Sequence, residues 1–254
     1  RDRSVSRGLG DVYKRQERQG KICFTERIST DHKATDFEYA VSFKSIFEIH
    51  NVSPHDIEGA IISSVVPFVT NTVKSAVKKI MGITPMVVGP GIKTGLSIKI
   101  DNPAQLGSDL VVGAVAGINE YPCPLAVIDM GTATTFSVID RSKSYIGGMI
   151  MPGLKVSMEA LTERTSQLPK IGFEPPKKLI GSNTVECMKS GFLYGSASSI
   201  DGMLERIAGE LGEEPFAVAT GGLASVVIPL CRKKIVRDDD LMLKGLMLIY
   251  SKNK

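Results

Sequence analysis

The segment Leu125-Ala126-Val127-Ile128-Asp129 constrains the fold of this chain more than any other. Four apolar residues in succession read as a strand buried on both faces, and that strand delivers an aspartate to its end. Met130-Gly131-Thr132-Ala133-Thr134 then turns the chain into a second strand, residues 135–140. A Gly-Thr turn exposes backbone N–H groups and hydroxyls, the donors that phosphate oxygens seek. The carboxylate beside them can hold a cation that offsets phosphate charge. A strand follows the turn, not a helix introduced by Lys, so this is no Walker loop. The plainer reading is a polar hairpin whose Asp and Gly serve the turn alone.

Strands and helices alternate on both sides of this hairpin. Ile22-Cys23-Phe24 reads as a strand. Thr35 can cap a helix whose apolar face is Phe37, Ala40, Phe43 and Phe47. Residues 57–66 form a short branched apolar run, and Pro67 suits the first turn of a helix carrying Val69, Val73, Val77 and Ile80. Residues 86–88 give another strand. Asn102-Pro103 predicts an N-cap and first helical position for a helix carrying Leu110, Val111, Ala114, Val115 and Ile118. Beyond the hairpin come a strand at 145–151, helices over 154–163 and 184–211, and a strand at 216–219. A last helix spans about 239–250. Two successive mixed sets predict an α/β chain of two domains, residues 21–117 and 118–254, with no flexible linker between them.

Charge separates the start of the chain from the rest. Residues 1–21 hold seven Lys/Arg and three Asp/Glu; taking these from 31 and 27 leaves 24 of each sign in residues 22–254. The body is neutral and offers no electrostatic footprint for nucleic acid. Residues 1–16 show neither helical nor strand periodicity and resemble a translated adapter, so 1–20 are expected to be a non-native or disordered segment; a native basic tail is the alternative. The scattered Cys23, Cys123, Cys187 and Cys231 suit reduced thiols in a cytoplasm, not a disulfide framework or a zinc site. Nothing approaches the ~18 consecutive apolar residues of a membrane span.

Two further places can carry chemistry. Asp109, in Gly107-Ser108-Asp109-Leu110, falls on a helix face expected to be buried. A buried carboxylate needs a partner or a task, and one task is that of a base accepting a hydroxyl proton during phosphoryl transfer. The equal alternative is an ordinary first-turn Asp satisfying the helix N-terminus. Thr220-Gly221-Gly222 follows a strand, and its glycines would let backbone approach a flat ligand such as adenosine, although a plain turn explains them nearly as well. Gly147-Gly148 with Pro152-Gly153 is a weaker signal of the same kind.

Taken in order, these strings resemble the type III pantothenate kinases across nearly all of residues 22–254. They are Thr94-Gly95-Leu96, Asn102-Pro103, Leu106-Gly107-Ser108-Asp109, the segment from Asp129 to Thr135, and Gly147-Gly148 through Pro152-Gly153-Leu154. Ile180-Gly181-Ser182-Asn183-Thr184, Ser190-Gly191, Thr220-Gly221-Gly222 and Leu241 to Leu246 complete the set. The resemblance implies two actin-like (ribonuclease H-like) domains of the sugar-kinase and actin ATPase superfamily. It implies ATP-dependent phosphorylation of pantothenate, the first step towards coenzyme A, by a cytoplasmic homodimer using Mg²⁺ and a monovalent cation, K⁺ or NH₄⁺. By position, Asp109 would be the general base, with Gly107, Ser108, Leu110 and Thr184 contacting pantothenate. Asp129 would hold the monovalent cation, while Gly131, Thr132, Gly221 and Gly222 would face ATP.

Two departures qualify that expectation. Leu110 stands where the family often has Arg. The family also opens with a strand ending in an Asp-x-Gly-Asn-Thr-Asn phosphate loop, whereas here Asp11 is followed by Val12-Tyr13-Lys14. Loss of that loop predicts an impaired kinase, because phosphoryl transfer depends on positioning and charge neutralisation. The competing class is a non-catalytic ligand-binding or regulatory relative. Retention of Asp109, Asp129, Thr132 and Thr184 favours the enzyme.

Overall fold

The computed structural model describes residue 22 and residues 24–28, 30–31 and 33–254. The expectation for residues 1–20 therefore lies outside the described residues. The described residues divide into two compact units: those up to 95, 104–115 and 243–254 in the first, and 96–103 and 116–242 in the second.

In the first unit, helix α1 (Asp36–Ile49) packs on α2 (Pro67–Met81). Thr35 begins α1 with a reciprocal capping box: its hydroxyl accepts from the Glu38 N–H, and the Glu38 carboxylate accepts from the Thr35 N–H at 2.7 Å. Those bonds hold the Glu38 carboxyl below its usual range. Pro67 starts α2 and Gly82, at φ 70°, ends it. The helices bury Tyr39, Phe43, Phe47, Val69, Val73 and Val77 in one cluster with Ile57 and Ile62. Phe37, expected on that face, is 65% exposed. The buried stripe instead runs through Tyr39, whose hydroxyl bonds the Asp31 backbone.

The apolar run expected over 57–66 forms only the short β1 (Ile61–Ile62), paired in parallel with β2 (Met86–Val87). Ile22 and Phe24 do not form the expected strand; the Phe24 ring stacks on His50 at 3.8 Å.

The second unit is built on a six-stranded sheet. Its strands are β3 (Ser97–Ile98), β4 (Leu125–Met130), β5 (Ala133–Ile139), β6 (Ser144–Pro152), β7 (Phe216–Thr220) and β8 (Val236–Arg237). They lie in the order β3-β6-β5-β4-β7-β8. β4, β5 and β6 form an antiparallel meander, while β7 joins β4 in parallel and β8 joins β7 in parallel. β4 is thus central and buried on both faces, as its apolar run requires.

Ala126, Ile128, Met130, Phe136, Val138, Ala217 and Ala219 point to one face. They pack against α4 (Leu154–Glu163), α5 (Thr184–Leu211) and the short α6 (Ala224–Val227). α5 presents Leu193, Ala197, Ile200, Leu204 and Ile207 to that core, alternately four and three residues apart. Asn183 caps its start through a 3.0 Å bond from the Glu186 N–H, and Gly212 at φ 74° closes its end.

The opposite face carries Leu125, Val127 and Asp129 of β4. Gly117 lies so near Leu125 and Val127 that a Cβ there would strike both side chains. Gly117 belongs to α3 (Ser108–Glu120), which contributes residues to both units, as does α7 (Leu241–Asn253). Beyond α3, Tyr121 stacks on Phe216 and donates to the buried Asp238 at 2.8 Å. Burial first, and then Asp238, push the Tyr121 hydroxyl well above its usual range, so it remains a donor. In the first unit α7 is tied by Lys252 Nζ to the Thr94 carbonyl at 3.1 Å, and by Asn253 to both backbone groups of Lys93.

No helix among the described residues is long and apolar enough to cross a membrane. Because Ile200 is 1% exposed beneath the sheet, Ile200→Ala is expected to remove about 2–5 kcal/mol of stability by transfer and cavity costs. Chemical denaturation checks it.

Candidate active site

The helix expected from Asn102 does not begin there. Pro103–Gln105 makes one 3₁₀ turn, and α3 starts at Ser108. Gly107 interrupts the helical path, and its carbonyl accepts the Val111 N–H at 3.1 Å. Asp109 is consequently a first-turn residue, half-buried, where sequence placed it deeper in a helix. Its Oδ1 accepts from the Leu110 N–H at 2.9 Å. A side chain on Gly107 would press on that carboxylate, so glycine leaves Asp109 room to fold back over the helix start. Ser108 is held from the other side, its hydroxyl accepting from Ser63 at 2.9 Å. Gly107, Ser108, Asp109 and Leu110 are all half-buried and all belong to the first unit.

The remaining candidates belong to the second unit. Asp129 ends β4 half-buried, opposite Thr135 on β5 and Thr220 on β7. Register pairing puts all three on the face turned away from the α5 core. Gly131 and Thr132 make the turn, with the Gly131 N–H bonded to the Ala133 carbonyl at 3.0 Å. Gly153, at the entry to α4, donates its N–H to the Thr132 carbonyl at 2.9 Å. A Cβ on Gly153 would collide with the carbonyl oxygens of Gly131 and Thr132. Gly221 follows β7 at φ 99°, and a Cβ there would stand 2.7 Å from the Met130 backbone. Three turns distant in sequence therefore converge as bare backbone around the end of β4.

Gly222, next to Gly221, is exposed. Thr184 stands exposed at the first position of α5, while Gly181 packs on the backbone of Glu186 and Cys187. The convergence brings Asp129, Gly131, Thr132 and Gly221 together; Thr184 lies at a separate helix start.

Sequence reasoning ranked Gly153 low and named Thr135 and Thr220 only within longer strings, with no role of their own. Gly153 carries the tightest approach to the Gly131-Thr132 turn. Thr135 is the cross-strand partner of Asp129, and its Oγ1 is buried with no hydrogen-bond partner among the described residues. The available signals were Pro152-Gly153 at a strand end and the hairpin register, which pairs each β4 residue with one on β5. Among the described residues no group of three or more His, Cys, Asp or Glu could hold a metal ion. The site thus offers one carboxylate, hydroxyls and backbone dipoles, a set suited to phosphate and to a weakly charged cation.

Comparison with known proteins agrees with this chemistry. A model of the type III pantothenate kinase family matches residues 12–206. A type III pantothenate kinase of Halalkalibacterium halodurans is 45% identical over 227 residues, covering 89% of each chain. One from Bacillus cytotoxicus is 43% identical over 235 residues, covering 92% of this chain and 90% of that one. Among solved structures, a Baf family protein from Campylobacter jejuni matches with a TM-score of 0.54 at 17% identity. It covers 78% of this chain and 84% of that one, a likeness of fold alone. The chain is a phosphotransferase of mixed α/β architecture. It belongs to the type III pantothenate kinase family.

The approach of Gly221 to Met130 gives a test. Gly221→Ala is expected to cost more than about 2 kcal/mol, since alanine is strained at positive φ and its methyl meets fixed backbone. Urea unfolding measures that loss, and ATP titration should show weakened binding in the fraction that folds.

Proposed function

We propose that this chain transfers the γ-phosphoryl group of ATP to the primary hydroxyl of pantothenate, with Asp109 as general base. Membership of the family supports the reaction, and the convergence of Gly131-Thr132, Gly153 and Gly221 on Asp129 is the observation that carries it. The glycine contacts lock three turns against one another at the end of β4, and hydroxyl donors such as that of Thr132 match phosphate oxygens. Thr132 and Gly131 would meet the phosphates, and Gly221 with Gly222 would border the adenosine. Asp129 would hold the monovalent cation, K⁺ or NH₄⁺. Mg²⁺ enters with ATP as its complex, held mainly by phosphate oxygens.

Asp109 suits the base because a helix start anchors its carboxylate, which accepts from the Leu110 N–H and is only half-buried. Gly107, Ser108, Leu110 and Thr184 would contact pantothenate. Leu110 would contribute an apolar surface where the family often places a guanidinium. A cytoplasmic homodimer is part of the same proposal, supported by the exposed apolar residues Leu179, Ile180 and Val185 around the start of α5.

The experiment is ATP-dependent phosphorylation of pantothenate with Mg²⁺ and K⁺. Asp109→Asn is expected to lower kcat by roughly 10²–10⁴-fold, with the KM for ATP little changed, as befits loss of proton transfer and not of nucleotide binding. A phosphorylation rate equal to that of the parent chain would remove Asp109 from the mechanism. The chain is also expected to work far below a version in which an Asp-x-Gly-Asn-Thr-Asn loop replaces its own residues near Asp11, because phosphate positioning dominates such reactions. Equal rates would refute the impairment. A folded loop-restored chain that leaves pantothenate untouched would refute the assignment of substrate.

A further inference from the structure

We propose that the Thr135 hydroxyl is a ligand of the cation held by Asp129, and that together they form a site for a monovalent ion. The inference rests on the reading of Asp129 given above and adds a residue to it.

Thr135 is 7% exposed, and its Oγ1 lacks any hydrogen-bond partner among the described residues. Buried hydroxyls are almost always satisfied, so an orphan of this kind points to a bound group. Its position limits what that group can be. Thr135 and Asp129 are direct cross-strand partners, which sets their Cβ atoms side by side on one face of the sheet. Thr220, also buried, flanks Asp129 from β7 on the same face. The next residue along this row is Ile150 on β6, opposite Thr135 and 75% exposed, so the row opens towards solvent.

Asp129 contributes one negative charge here, and the threonines contribute neutral oxygens. Ca²⁺ and Mg²⁺ are typically held by carboxylates, with water or phosphate completing the shell. A large singly charged ion can be held by neutral oxygens that replace its hydration shell. The donor set therefore favours K⁺ or NH₄⁺ over a divalent ion.

The test is thermal unfolding of the full chain as KCl replaces choline chloride at constant ionic strength, with and without ATP. K⁺ is expected to raise the midpoint of the parent chain, because a ligand of the folded state stabilises it by mass action. Thr135→Val keeps the shape and removes the oxygen; it should raise the K⁺ concentration for half-effect by about tenfold or more, a typical penalty for disturbing a metal site. Thr135→Ser should restore the parent response, and Asp129→Asn should abolish it. Should the valine variant not fold, Thr135→Ala carries the same comparison.

An unchanged K⁺ response in Thr135→Val or Thr135→Ala overturns the proposal, as does a parent chain that answers K⁺ and choline alike in both conditions. Phosphorylation is scored separately. A K⁺ response in a loop-restored chain that leaves pantothenate untouched upholds the ion site and sinks the kinase reading; phosphorylation by that chain without a K⁺ response does the reverse.

Discussion

The second unit depends on backbones meeting without side chains between them. Gly221 stands against the Met130 peptide and Gly153 against the carbonyls of Gly131 and Thr132. These contacts draw the entry to α4 and the exit of β7 onto the end of β4. The constraint is steric before it is electrostatic, and Gly221 adds a positive φ that other residues adopt only with strain.

Those contacts are useful only if β4 itself does not move. Its burial on both faces provides that. Ile128 and Met130 pack beneath α5, while Leu125 and Val127 pack against Gly117 of α3 on the other side. Alternation along the strand then has a chemical consequence. Asp129 must emerge on the α3 face beside Thr135 and Thr220, because its neighbours Ile128 and Met130 are committed to the core. A one-residue slip of register would bury the carboxylate under α5 and expose apolar side chains, so packing and site position are the same choice.

Asp109 obeys a different logic. It is placed by a helix start, through Gly107 and the Ser63–Ser108 hydroxyl contact, and is only half-buried. The helix terminus steadies the carboxylate through the Leu110 N–H, as the first-turn reading expects.

Sequence by itself determined the elements whose signals are local. α4 and α5 span the residues that the helical pattern predicted, and the hairpin of β4 and β5 follows from an apolar run, a Gly-Thr turn and a second run. Asp129, Gly131 and Thr132 were legible for that reason, as were the ordered strings that mark the family. Tertiary structure alone decided where α3 starts, since the capping signal at Asn102-Pro103 was spent on one 3₁₀ turn before Gly107. It also decided that Tyr39 and not Phe37 faces the first core, that Gly153 touches the turn twenty residues before it, and that Thr135 is buried without a partner. Each of these depends on what another segment brings alongside, and no local pattern of caps or periodicity contains that information.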